Sequence, residues 1–286
     1  MKLCFKGGIF GGKIVTLELI DLNAMNKTTY KIIEGKIQIY GNGLFSKEEV
    51  TVSINKAKKN TGIIFNEKIL ADVNNVSNSN RNTVLSNEKE SICLVEHFLA
   101  ACSLLGVNDL EVITDKNELV FNDGSASHWK EVFVKNNFCT AITEKYSLKE
   151  VLFVKDDKRS IVAIPHDGFK VSYFMDFSHP ALQKKFASWQ KSEGVEKILR
   201  ARTFATKEEN DYFGMSDILL TLTEAGFNKE LYEPLEPVYH KILDIIGDLR
   251  LCGVNPLEIN MHVIGFKSGH TLNVELAKKL KNKFSL

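Results

Sequence analysis

The stretch HKILDIIGDL carries His240, Asp244 and Asp248 at intervals of four residues. On a helix turning ~100° per residue, these three lie within roughly 80° of one another, and Ile242, Leu243, Ile245, Ile246 and Leu249 take the opposite arc. Such a stripe is either the wet side of an amphipathic helix or two metal ligands followed by a carboxylate that orients a neighbour. A second stretch, ICLVEHFLAACSLLG, sets Glu96 beside His97, the only strongly polar residues between Ile92 and Leu105. A helix apolar nearly all round is buried, and an ionisable pair inside it is costly unless something compensates. Taken together, His97, His240 and Asp244 would make a two-histidine, one-carboxylate set with a position left open for water. That set suits catalytic zinc, and iron(II) accepts it too. Cys93 lies one turn before His97 and reads as packing, since the set is complete without it.

Adjacent helical residues point ~100° apart, so His97 can hold a metal while Glu96 reaches the metal's water. Zinc lowers the pKa of that water to about 7. Glu96 would take the proton as the water attacks a carbonyl. A leaving amine then needs an acid, and KSGHTLN offers His270 just before the last helical run. Asp248 favours the charged form of that imidazole, while a helix N-terminus opposes it. RARTF leaves two readings: a strand end with surface charges, or a hydroxyl on Thr203 donating to a developing oxyanion.

The bulk properties narrow the class. A net charge of +1 argues against a generic nucleic-acid binder, which is normally strongly basic. No run approaches the ~20 apolar residues of a membrane span, and MKLCFKGGIFGGKIV, broken by Lys6, Lys13 and paired glycines, makes a poor signal peptide. Five cysteines without a CxxC pair suit a reducing compartment. The expectation is a cytoplasmic monomer, with peripheral contact to a membrane left open. Gly7 to Lys13 has the GxxxxGK spacing of a phosphate-binding loop, but Ile14 stands where Ser or Thr is needed and a strand-like run follows.

The elements that must position these residues read as two blocks. KIVTLELI, KIQIYG, EEVTVSIN and TGIIFN have strand character, and VNNVSNSNRN reads as an exposed loop. A helix is predicted from about Glu90 to Leu105, stopped by Gly106, with LEVITD and LVFNDGSA returning to strand and turn. KEVLFVKD, SIVAIPHD and FKVSYFMDF start a second set of strands. Helices follow around Gly194 to Leu199, Met215 to Ala225, Pro237 to Leu251 and Thr271 to Lys283. The pattern predicts an α+β chain of two domains, 31–140 and 141–286, after an N-terminal extension, 1–30, with a site in the cleft if the halves face each other.

VEHFLAA, NDGSA, DFSHPAL, RARTF, HKILDIIGDL and KSGHTLN, in that order, resemble the UDP-3-O-acyl-N-acetylglucosamine deacetylases, zinc enzymes that take the committed step of lipid A biosynthesis. GNGLFSKEEVTVSINKAKKNTGIIF is similar to that family's opening segment, and the resemblance runs over roughly residues 30–284. It implies zinc on His97, His240 and Asp244, Glu96 as general base, His270 as the cationic acid partnered by Asp248, and Thr203 as oxyanion donor. It further implies that Lys241 and Lys267 meet the substrate's phosphates or oxyanion, that Phe204 touches substrate, and that Lys149 and Phe169 contact the UDP moiety. The implied fold has mainly antiparallel strands in each domain, layered with a pair of helices. Three departures stand out. Phe45 replaces the family's histidine in Gly43-Leu44-Phe45-Ser46-Lys47, the Thr203–His240 segment is short and lacks a Gly-rich piece, and about thirty residues precede the match. The short segment keeps two alternatives in view: a deacetylase for an acetamido nucleotide sugar with a short acyl chain or none, and a non-catalytic UDP-sugar binder.

Overall fold

In the computed structural model, which describes residues 15–18, 29–33 and 36–284, the first half of the chain builds a seven-stranded sheet. Its members are β1 (Val15–Glu18), β2 (Thr29–Ile33), β3 (Lys36–Asn42), β4 (Glu49–Lys56), β5 (Ile63–Phe65), β6 (Ile69–Leu70) and, after β7 (Val76–Asn78), β8 (Val84–Ser86), β9 (Ser91–Cys93) and helix α1 (Val95–Leu105), strand β10 (Leu110–Thr114). The order is β1-β2-β3-β4-β10-β5-β6, antiparallel except where β10 meets β5. Strand β4 shows why it forms: Val50, Val52 and Ile54 are fully buried and alternate with wetter neighbours, as a half-buried strand requires. Strands β7, β8 and β9 make a small separate sheet, and α2 (Ser127–Lys135) packs on α1.

The second half adds β11 (Tyr146–Ser147), β12 (Leu152–Lys155), β13 (Ser160–Pro165), β14 (Phe169–Met175), β15 (Lys185–Gln190) and α3 (Glu196–Leu199). A three-stranded unit follows, β16 (Phe204–Thr206), α4 (Lys207–Phe213), β17 (Leu220–Thr223) and β18 (Gly226–Phe227). Then come α5 (Glu236–Leu249), β19 (Ile259–Phe266) and α6 (His270–Phe284). Strand β19 is central to the second large sheet, paired with β13 on one side and β14 on the other. Helix α1 reaches the first sheet through Phe98, whose ring meets Phe65 edge-on, and α5 packs on β14 and β15 of the second. The two helices pack on each other and on one continuous core. The chain is therefore α+β, mainly antiparallel, with α1 and α5 between two sheets.

Several elements differ from their sequence-based expectation. Helix α1 begins at Val95, not near Glu90, because Leu94 sits at φ 61° and the residues before it pair as β9. VNNVSNSNRN is not a plain loop: it contains a 3-10 turn at Val73–Asn75 and strand β7, and its last residue, Asn82, is buried, as is Thr83 just beyond. Met215 to Ala225 is not a helix. Gly214, at φ 69°, ends α4, and the alternating Leu-Thr-Leu-Thr run pairs as β17 between β16 and β18. Elements α2, α4, β15 and β19 carry no assignment in the sequence reading. Strands β1 and β2 extend the sheet beyond β3, so part of the segment before Lys31 is strand. The glycine-rich Gly7 to Lys13 loop lies outside the described residues.

Candidate active site

Helices α1 and α5 bring the two stretches together. At their crossing, a side chain on Gly247 would stand 2.0 Å from the backbone oxygen of Glu96. Only hydrogen fits there, and that close approach sets α1's first turn against the last turn of α5. His97 Nε2 then lies 3.2 Å from Oδ1 of Asp244, and His240 Nε2 lies 3.6 Å from Oδ2 of the same carboxylate. The two imidazoles meet edge-on at 5.0 Å between centroids. Exposure is 8% for His97, 4% for His240 and 2% for Asp244, so the stripe on α5 is not a wet face.

One ligating atom from each of the three lies within 4.8 Å of the other two. His240 Nδ1 is buried without a hydrogen-bond partner among the described residues. Burial holds His240 well below its ordinary value, in the neutral form that ligates metal. Burial alone would raise Asp244, but His240, Lys241 and His270 overrule it and hold the carboxyl well below its usual range. Two neutral-capable imidazoles and one ionised carboxylate, all buried and convergent, fit a divalent transition ion. The thiol of Cys93 instead donates to the carbonyl of Asn117, and burial pushes it up to about 12, which suits packing.

Around this set the polar side chains form one network. Glu96, 5% exposed, accepts from the Thr83 N–H at 3.1 Å, and burial raises its pKa against the pull of His270 and His97. The Thr83 hydroxyl donates to Asp248 Oδ1 at 2.6 Å. The other oxygen of Asp248 accepts from His270 Nδ1 at 2.8 Å and from Asn273 Nδ2 at 2.9 Å. His270 opens α6, where burial and the helix N-terminus both disfavour its charge. Burial is outweighed by Asp248 and then Asp244, and the imidazole is pushed up to about 10. With Nδ1 committed to Asp248, the other nitrogen, Nε2, faces Asp244 Oδ2 at 3.8 Å.

Comparison with known proteins decides the family. Residues 30–282 match the family described as UDP-3-O-acyl N-acetylglycosamine deacetylase. The chain belongs to that family. It is similar to the UDP-3-O-acyl-N-acetylglucosamine deacetylase of Coxiella burnetii (strain CbuK_Q154), at 32% identity over 277 residues, covering 87% of this chain and 89% of that one. The protein of the same name from Pseudomonas entomophila is 32% identical over 278 residues, with the same coverage. That from Pseudoalteromonas atlantica is 31% identical over 276 residues, again covering 87% and 89%.

In this member of the deacetylase family the remaining sequence candidates separate into two groups. Thr203 is at the site's border, held through Arg202, whose Nε and Nη2 fork onto Glu236 in the first turn of α5 at 2.8 and 3.0 Å. Arg202 is thus a buried clamp rather than a surface charge, while Arg200 stacks over Tyr232. The Thr203 hydroxyl donates to the Gly124 carbonyl at 3.0 Å, and a Cβ on Gly124 would collide with it, which explains the glycine in NDGSA. Lys241 Nζ sits 2.8 Å from Asp244 Oδ2 and over the ring of Phe204, which meets His240 edge-on at 5.6 Å. Lys267 is partly buried, at φ 55° in the turn before His270. By contrast, Phe169 is buried in the core at the start of β14 and Lys149 is exposed before β12. No hydrogen bond, ion pair or ring contact among the described residues ties either to the histidines.

Sequence reasoning missed Thr83 and Asn273, the two donors that saturate Asp248. It also missed Glu118, a buried carboxylate that accepts from the backbone N–H groups of Leu44, Phe45 and Ser46 at 2.8, 2.9 and 2.7 Å. That grip fixes the loop on which Phe45 stands, with its ring against Phe213. Asn273 lies inside the quoted KSGHTLN, so its motif pointed to it. Nothing local in the sequence marks Thr83 or Glu118.

Proposed function

We propose that this chain removes the N-acetyl group from a UDP-linked, 3-O-acylated N-acetylglucosamine in lipid A biosynthesis, with zinc held by His97, His240 and Asp244. One observation carries the reading: a buried ligand set, a buried glutamate and an imidazolium on a carboxylate converge from three helices. The ion, when bound, supplies Lewis acidity to water and carbonyl. Glu96 takes the water's proton; its burial raises its affinity for that proton, and the Thr83 N–H holds one of its oxygens in place. His270, kept charged by Asp248, delivers its Nε2 proton to the leaving nitrogen. Lys241 brings positive charge beside the developing oxyanion, and Thr203 joins it by turning its hydroxyl from Gly124.

Phe204 and Lys267 are the substrate contacts in this reading. An apolar cluster of Leu94, Phe121, Met215 and Leu219, with Leu44 and Phe213 packed on it, lies beside His97, whose ring stacks on Phe121 at 6.5 Å. It supports the acylated sugar over the unacylated one despite the short Thr203–His240 segment. No helix among the described residues is long and apolar enough to cross a membrane. Our reading of the protein is a cytoplasmic monomer that meets its lipid-bearing substrate at most peripherally. We take 31–140 and 141–286 as its domains, after an extension of residues 1–30.

The test is acetate release by zinc-loaded protein from UDP-3-O-acyl-N-acetylglucosamine, beside Glu96→Ala. Turnover should fall by at least ~10²-fold in the variant with the metal retained, and the acylated substrate should be strongly preferred over UDP-N-acetylglucosamine. Bound zinc with no acetate released from the acylated sugar would sink the reading.

A further inference from the structure

Past the last turn of α5 a cavity of about 530 Å³ opens between the two halves of the chain. None of its lining residues belongs to the metal, base or acid set. At its wall stands Arg250, 6% exposed, whose side chain makes two hydrogen bonds among the described residues, both from Nη2 to Asn108 and both long at 3.4 Å. Its Nε is buried without a partner among the described residues. A buried guanidinium N–H without a partner is costly, and a group bearing acceptor oxygens beside it would relieve that cost.

The other charges around the cavity are mostly spent. Lys281 is on Asp72, Lys145 is on Glu258 at 2.9 Å, and the carboxylate of Asp109 accepts from the Gly62 N–H at 2.9 Å. Lys59, exposed at the rim, has no ion-pair partner among the described residues. Arg250, which Glu258 and Asp109 meet only at longer range, and Lys59 are thus the two lining cations without an ion pair among the described residues, one deep and one at the mouth. The volume lies in the range of small-molecule sites and exceeds what a bare phosphate fills. Asn60 and Thr61 line it beside Asn108, so an alkyl chain would leave amide and hydroxyl groups facing hydrocarbon, whereas hydroxyls would pair with them.

We infer that this cavity binds a small phosphorylated polyol, its phosphate on Arg250 and Lys59 and its hydroxyls against the polar wall. The site goes beyond the proposed deacetylation, and no step of that reaction passes through it, so either can fail alone. The test is calorimetric titration of the full chain with glucose 6-phosphate, glucose and inorganic phosphate, before and after chelation of metal. Glucose 6-phosphate should bind saturably in both states, more tightly than inorganic phosphate, and glucose should not bind. Arg250→Met should weaken binding at least ~10-fold, with Lys59→Glu acting in the same direction by about 3-fold or more. Lys59→Glu changes only an exposed side chain, so it decides the matter even if Arg250→Met fails to fold. No saturable binding, equal affinity for inorganic phosphate, or affinity untouched by Lys59→Glu would overturn the proposal.

Discussion

In the proposed mechanism, Asp248 is the residue on which the acid half of the site turns. It is fully buried and accepts three hydrogen bonds, from Thr83, His270 and Asn273. A carboxylate so held keeps His270 protonated far above neutrality. In metal-stripped protein, an NMR titration should find His270 charged through neutral pH with its midpoint near 10, and Asp248→Asn should move that midpoint down. The sign for stability follows. The folded value lies above the unfolded one of about 6.5, so the stabilisation is complete below about 6.5 and lost as pH rises towards 10. A midpoint unmoved by Asp248→Asn would disprove the coupling. Thr83 acts through its neighbours, since its N–H holds Glu96 and its hydroxyl holds Asp248. Thr83→Val keeps the first bond and deletes the second. We expect kcat to fall about 10-fold with KM little changed and with Thr83→Ser restoring the rate. A KM effect alone would mean that Thr83 only shapes the pocket.

At the scale of elements, the crossing of α1 and α5 creates the site. Glu96 and His97 occupy the first turn of α1, and His240 and Asp244 lie one turn apart on α5. Neither helix holds a complete ligand set. Gly247 sets their separation, because any Cβ there meets the Glu96 carbonyl. Gly247→Ala should cost about 1–3 kcal/mol by overpacking, lower the melting temperature, and weaken metal affinity as His97 moves away from Asp244. Calorimetry and a competitive chelator titration measure the two effects. Unchanged metal affinity would show that the contact is not what sets the ligand geometry. The β16–β18 unit has a similar positioning role: Arg202, clamped to Glu236, fixes the strand start that carries Thr203 and Phe204.

For the molecule as a whole, the proposed ligands come from opposite halves of the chain, His97 from the first and His240 with Asp244 from the second. A bound ion therefore ties the two halves in the folded state and nothing comparable in the unfolded one. At about 100 times its dissociation constant such an ion contributes about 2.7 kcal/mol, so chelation should lower the melting temperature by on the order of 5 °C. Asp244→Asn should abolish that dependence. A melting temperature indifferent to chelator in the wild type would deny metal binding at these residues.

The sequence alone pointed to the candidate chemistry. The proposed ligands, base and acid stood out as ionisable residues at helical spacing among apolar ones and in motifs that resemble the family's, and the α+β class followed from strand-like and helix-like periods. It also carried the family, which the motifs pointed to and relatives at 32% identity bear out. Tertiary structure decided what local pattern cannot encode. The stripe on α5 is buried only because α1 lies against it, and Thr83, flanked by a polar stretch that reads as loop, is buried only because Glu96 and Asp248 need its donors. Phe169 is buried in the core because β14 sets it beside Met261 of β19 in the second large sheet. Met215 to Ala225 became turn and strand because β16 and β18 offered pairing partners. Hydrophobic period and residue chemistry are local properties of a chain, whereas burial, hydrogen-bond saturation and the protonation of His270 arise from partners far away in sequence.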